Sequence, residues 1–187
     1  MHKWWACLAV AVLAGIGISR AYSADGLYLG AGLGAATVKD GFDVSTFEAN
    51  DLAYKGFIGW RFDNLPLIDL AIEAAYTNFG KPSQIVSPSA GATAQNVEFK
   101  LHGPSAAGLL ILPLGPFDLY AKGGVINWKL DQAVGASMTS RSGNDAFYGV
   151  GGGFYLWKLG FRVEYERYQI KDVDRVQMLS GSVLFQF

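Results

Sequence analysis

Six charged residues, spread along the chain at strand-like positions, could do chemistry together. Lys55 and Arg61 fall within 53–62, Glu73 within 68–78, Lys122 within 117–128, and Arg162 and Glu164 within 159–168. Paired carboxylates serve as general acid and base when both face one bond. Opposite charges around a channel set its selectivity. The same residues can also fill a closed interior as an ion-pair network, because a buried charge needs a partner. His102 with Ser105 raises a third chemistry, a base beside a nucleophile. Gly30-Ala31-Gly32-Leu33-Gly34-Ala35 loosely matches a dinucleotide loop, but that motif needs a strand-to-helix turn in a βαβ unit. Here the glycines lie inside a strand with more strands following. They are read as making room for larger interior side chains.

Composition narrows these choices. The chain has 187 residues, 51% of them hydrophobic and 17% charged, with a formal net charge of −1. Its length suits one domain. Low charge and high hydrophobicity argue against disorder, and the near-neutral balance gives no basis for nucleic-acid binding. Residues 1–23 read as a cleaved signal peptide. Lys3 supplies a short positive start, an apolar run follows from Trp4 to Ile18, and Ala21-Tyr22-Ser23 is a small-residue cleavage site. Cleavage after Ala24 is the near alternative. The apolar run is shorter than the roughly 20 residues that span a bilayer. The leader takes with it Cys7, the single cysteine, and His2. Residues 24–187 then have no disulfide or cysteine-ligated metal, and His102 is their one histidine. No tight carboxylate cluster accompanies it, so neither metal nor cofactor is expected.

The elements that must position the six charges are strands, because the side-chain period is two. In 26–38, Leu27, Leu29, Ala31 and Leu33 oppose Tyr28, Gly30, Gly32 and Gly34. In 53–62, Tyr54, Gly56, Ile58, Trp60 and Phe62 oppose Lys55, Phe57, Gly59 and Arg61. In 68–78, Ile68, Leu70, Ile72, Ala74 and Tyr76 oppose Asp69, Glu73 and Thr77. A fourth strand near 97–112 sets Glu98, Lys100 and His102 against Val97, Phe99, Leu101, Leu109 and Ile111. A fifth, 117–128, sets Asp118, Tyr120 and Lys122 against Phe117, Leu119 and Val125. The sixth, 146–156, alternates Tyr148, Val150 and Phe154 with glycines, and the seventh, 159–168, opposes Phe161, Val163 and Tyr165 with Arg162, Glu164 and Glu166. The eighth runs over 176–187. Long links (39–52, 79–96, 129–145, 169–175) alternate with short ones (63–67, 113–116, 157–158). Even strand number, with long loops on one side and tight turns on the other, predicts an all-β, eight-stranded antiparallel up-and-down transmembrane barrel.

Alternation alone also fits a soluble lipocalin-like carrier with the faces reversed. The polar face argues against that, because it mixes glycine, alanine and serine with nearly balanced charges. The apolar face carries aromatics near strand ends: Trp60, Phe62 and Phe117 toward the short turns, Tyr76, Tyr148 and Tyr165 toward the long loops. Two aromatic girdles around an apolar band match a lipid-facing surface. An eight-stranded barrel is only wide enough inside for side chains, which favours an interior network over a wide channel.

The segments GLYLGAGLG, YKGFIGWRF, LAIEAAYTNFG, LPLGPFDLYAKGGVINW, FYGVGGGFYL, LGFRVEYERY and LSGSVLFQF, in this order, resemble the small eight-stranded outer-membrane barrels of the OmpA transmembrane-domain and opacity-protein group. The resemblance covers nearly all of residues 24–187. It implies that the barrel assembly machinery reads the C-terminal signal, which Leu179, Val183, Phe185 and Phe187 match, with Gly181 a weak position. No peptidoglycan-binding domain is expected after Phe187. Some barrels of this size are lipid A-modifying deacylases with a lipid-facing His-x-Ser pair; His102-Gly103-Pro104-Ser105 has the wrong spacing. His102 is read as facing inward.

The expectation is thus a non-enzymatic outer-membrane protein, a monomer among outer-membrane lipids. It would support envelope integrity or present its loops to an extracellular partner. The first loop, with Asp40, Asp43, Glu48 and Asp51 beside Phe42 and Phe47, is acidic. Three alternatives stand beside this reading: a narrow porin-like pore, a lipid A-modifying enzyme and a soluble periplasmic carrier.

Overall fold

Alternating side chains can bury one face only against another face, and a sheet that curls until its edges meet leaves no edge unpaired. That is the solution in the computed structural model, which describes residues 25–40, 47–63, 65–80, 83–86, 95–134, 137–170 and 175–187. The strands are β1 (Gly26–Asp40), β2 (Phe47–Phe62), β3 (Asp69–Asn78), β4 (Ser83–Val86), β5 (Gln95–Leu114), β6 (Phe117–Val134), β7 (Ser137–Leu156), β8 (Leu159–Tyr168) and β9 (Arg175–Gln186). Neighbours pair antiparallel in the order β3-β2-β1-β9-β8-β7-β6-β5, and β3 pairs with β5 to close the ring. These eight form the barrel. The first and last strands meet at the β1–β9 seam, where the Phe187 amide donates to the Leu27 carbonyl at 3.0 Å.

Three links expected to be loops contain strand; in 39–52 the β1–β2 ladder continues as far as Asp40↔Phe47. β4 lies inside 79–96 and pairs with the outer end of β5, from Ser83↔Glu98 to Val86↔Gln95. The link 129–145 is mostly ladder, because β6 and β7 stay paired as far as Val134↔Ser137. The leader, and the side chains of the acidic segment 39–51, lie outside the described residues.

The burial pattern is that of a core turned outward. Leu29, Ile58, Ile72, Leu119, Val150, Val163 and Val183 are all about half exposed, whereas Lys55, Arg61, Glu73, Lys122, Arg162 and Glu164 are buried. From Phe117 to Val125 the outer wall of β6 is apolar or small; at a rise near 3.4 Å per residue and a tilt near 40° that run is about 20 Å tall, close to the apolar band of a barrel in a membrane. One strand departs from the expected facing. In β5, Leu101, Leu109 and Ile111 point inward and are buried, while Lys100 is exposed and His102 half-buried on the outer wall. His102 therefore does not face the interior.

The interior is filled by rings that stand over glycines on the next strand. The register sets Tyr28 opposite Gly59, Phe57 opposite Gly30, Tyr120 opposite Gly151 and Trp128 opposite Gly143. A Cβ on Gly59 would stand 2.2 Å from the Tyr28 ring, and one on Gly30 2.3 Å from the Phe57 ring. Each aromatic side chain uses the space its partner leaves. Gly59→Val is therefore expected to lower stability by about 1–3 kcal/mol through overpacking, read as a lower urea midpoint in lipid vesicles, and adding Tyr28→Ala should restore part of the loss. An unchanged midpoint for Gly59→Val would mean that the Tyr28 ring does not occupy this space.

Candidate functional site

Within the barrel wall, inward charges are far from water and must find each other. Five of the six sequence-derived charges do so in one network. Arg162 on β8 donates to Glu73 on β3 at 3.0 Å, and Lys122 on β6 reaches the other Glu73 oxygen at 2.9 Å. Lys122 also lies 3.3 Å from Glu164 and 3.0 Å from Glu166. Lys55 on β2 closes the group by bridging Glu164 and, at 3.1 Å, Glu166. Three cations thus face three carboxylates, and the set is neutral. Glu166 is the member that the six-residue set omits, although it shares the inward face of β8 with Glu164.

Arg61 stands apart from this group. Near the short-turn end its guanidinium donates to Asp69 at 2.6 and 2.9 Å and to Asp118 at 2.6 Å. A planar fork of donors suits two carboxylates at once. Between the two clusters lies a layer of aromatic rings. The Arg162 guanidinium carbon is 4.8 Å from the Tyr28 ring centroid, 5.3 Å from that of Tyr120 and 5.6 Å from that of Phe57. Tyr28 donates to Glu73 at 3.1 Å, and Arg162 Nε donates to the Tyr155 hydroxyl at 3.2 Å. These rings could have been found from the sequence only as the large residues sharing the inward parity with the charges.

Toward the long-loop end the interior turns apolar. Phe79, Leu101, Ile126, Trp128, Phe147, Tyr168, Val176 and Met178 form one buried cluster. Tyr168 stacks on Phe147 at 5.0 Å and meets Phe79 edge-on at 4.9 Å. Trp128 directs its indole N–H to Asp145 at 2.7 Å. The charge network is thus enclosed above by packed rings and below by the Arg61 cluster. What the arrangement does chemically is hold the barrel wall together from inside. Among the described residues no group of three or more His, Cys, Asp or Glu could hold a metal ion.

The other sequence-derived residues lie on the outer wall. Leu179, Val183, Phe185 and Phe187 project outward from β9 and the chain end, alternating with the buried Ser180, Ser182, Leu184 and Gln186. Trp60, Phe62 and Phe117 lie toward the short turns, with Phe117 against Phe154 at 5.2 Å and Trp60 donating to Asp25 at 3.1 Å. Tyr76, Tyr148 and Tyr165 lie toward the opposite end and are exposed.

The family model for the outer membrane protein beta-barrel domain matches residues 6–187. No curated protein matches the chain. Among solved structures, Neisserial surface protein A is similar at 17% identity and a TM-score of 0.67, over 88% of this chain and 99% of that one. The attachment invasion locus protein Ail of Yersinia pestis, solved with the heparin analogue sucrose octasulfate, is similar at 18% identity and a TM-score of 0.57, over 87% and 99%. The N-terminal β-barrel domain of Pseudomonas aeruginosa OprF is similar at 14% identity and a TM-score of 0.54, over 88% and 100%. At these identities the likeness is one of fold.

Proposed function

The chain belongs to the outer membrane protein beta-barrel domain family, and on that premise we propose that it is a non-enzymatic envelope protein, a sealed membrane post that carries extended strands and loops outward for structural support or interaction. The observation that carries this reading is the filled interior. Lys55, Glu73, Lys122, Arg162 and Glu164 are all buried and all paired, with packed rings above them. A hydrolytic site needs an open cleft beside its acid and base, and a conducting path needs water through the middle. The interior offers neither at this level. Above the band, β5, β6 and β7 remain paired beyond the last outward apolar residues, so the wall itself continues past the apolar band on this side.

Two measurements test this together. Unboiled and boiled samples of the outer-membrane fraction should differ in gel mobility, the mark of a barrel that resists detergent, and the purified protein should leave a planar bilayer electrically silent. Steady channels in the bilayer would replace this reading with the pore. A soluble protein without a mobility shift would replace it with the carrier.

The outward alternation at the end of β9 also fits recognition by the barrel assembly machinery. The Phe187 ring is 61% exposed and touches Phe185 edge-on at 5.2 Å, so the interior does not depend on it. Phe187→Ala is expected to slow insertion several-fold while leaving the urea midpoint of the assembled barrel nearly unchanged. Equal insertion kinetics for variant and parent would sink the assembly-signal role.

A further inference from the structure

The outer wall changes character where β5 and β6 leave the apolar band. Tyr76 belongs to the upper girdle, and its ring centroid is 6.2 Å from that of His102. The register sets His102 opposite Asn78 on one side and Lys129 on the other, and Lys100 opposite Asp131. All share the outward parity of Leu110 and Leu112. Lys100 and Lys129 are exposed. Asp131 is the one acid among the described side chains of this wall; it accepts from Ser140 at 2.5 Å and lies 3.9 Å from Lys129. The Ser140 hydroxyl lowers the Asp131 carboxyl below its ordinary range, and Lys129, His102 and Lys100 add to that. The acid is thus already engaged, and Lys100, Lys129 and Asp131 together carry a net positive charge. Asn127, Asn144 and Ser142 flank it with exposed amides and a hydroxyl.

Directly below, on the same strands, the wall is hollow. Ala106 and Gly108 follow Pro104 down β5, and Gly123 follows Val125 down β6. A Cβ at Gly108 or Gly123 would meet nothing within 4 Å. A trough runs there between Ile72 and Ala74 on one side and Val125 on the other. A polar cationic patch at the membrane boundary and an apolar trough beneath it match the two halves of one amphiphile.

We propose that this wall binds a phosphorylated glycolipid of the outer leaflet, with its phosphate on Lys100, His102 and Lys129 and an acyl chain in the trough over Ala106, Gly108 and Gly123. Lysine is a point-charge partner for phosphate, and the flanking amides and hydroxyl suit sugar hydroxyls. Charge near a lipid surface strengthens such contacts within a Debye length. The inference rests on the outer wall being lipid-facing, and goes beyond the proposed role of the sealed post.

The test uses the whole chain carrying His2→Gln, so that His102 is its one imidazole, folded in phosphatidylcholine nanodiscs. Lipid A is added and the His102 ring resonances are followed. A saturable shift is expected with lipid A. The double variant Lys100→Gln/Lys129→Gln should need at least about tenfold more lipid A for the same shift, and so should Gly108→Phe/Gly123→Phe, which fills the trough. Inorganic phosphate should leave the resonances in place. An equal response to inorganic phosphate, no saturable response to lipid A, or an unchanged midpoint in the double lysine variant would each overturn the proposal. Each variant is first checked for the mobility shift on boiling. If the chain with both sites intact fails that check, the membrane reading fails, whereas if it passes and ignores lipid A, the lipid site alone fails; only variants that pass are compared.

Discussion

Glu73→Ala is expected to lower the stability of the barrel by about 3–5 kcal/mol, the usual cost of removing one partner from a buried ion pair. Glu73 accepts from Arg162, Lys122 and Tyr28 at once. Without it Arg162 keeps the Tyr155 hydroxyl and the faces of the rings around it, and the network carries three cations against two carboxylates. The cost is therefore mainly that of leaving charge uncompensated in a dry interior, and less the loss of three contacts. A second variant separates these causes. Glu73→Ala/Lys122→Ala restores the balance of charge while removing still more contacts, and it should be more stable than Glu73→Ala alone. Urea unfolding in vesicles, followed by tryptophan fluorescence, gives both midpoints. If the double variant is the less stable of the two, contacts outweigh charge balance and this account of the interior fails.

Leu109→Ala should destabilise by about 2–5 kcal/mol, as expected when a buried leucine leaves a cavity. Its neighbour Leu110→Ala should cost only about 1 kcal/mol, since it is half exposed on the outer wall and loses part of a transfer contribution with no cavity behind it. Lipid chains close over the second site and cannot reach the first. Comparable losses at both positions, measured as above, would show that β5 is not oriented as described.

β5 is also where the sequence is hardest to read. Within the band, charged side chains face inward alongside glycines and aromatic rings while the outward positions are apolar or small, so it is the charges Lys55, Asp118, Arg162 and Glu164 that announce the inner face of their own strands. In Leu109-Leu110-Ile111-Leu112 both faces are apolar and alternation is silent. The phase then has to be borrowed from Lys100 and His102, and it comes out reversed. Those two residues stand above the membrane boundary, where the outer wall meets water and the interior is the apolar cluster around Leu101 and Trp128. The rule linking polarity to facing changes sign at that boundary. The same change hides the upper halves of β6 and β7. Around Ser142, Gly143 and Asn144 the strand has no lipid to face, carries no apolar stripe, and reads as loop. Membership of the charge network was legible strand by strand. Its pairing was not, because the Glu73–Arg162 contact joins residues 89 apart in sequence across the inside of a closed ring.

The β1–β9 seam gives that ring one more property. Its first and last strands are hydrogen-bonded neighbours, and the Phe187 amide already bonds to Leu27. In space the strands form a cycle, and the chain merely chooses where to cut it. A short linker from Phe187 to Asp25, with new termini between Val134 and Ser137, would permute the gene circularly while keeping every rung of the ladder. It would also move the free C-terminus from the short-turn rim to the opposite one. If Phe187 is read as a terminal signal, the permuted chain would present it in the middle, and its folding and its insertion could be measured apart in a single molecule.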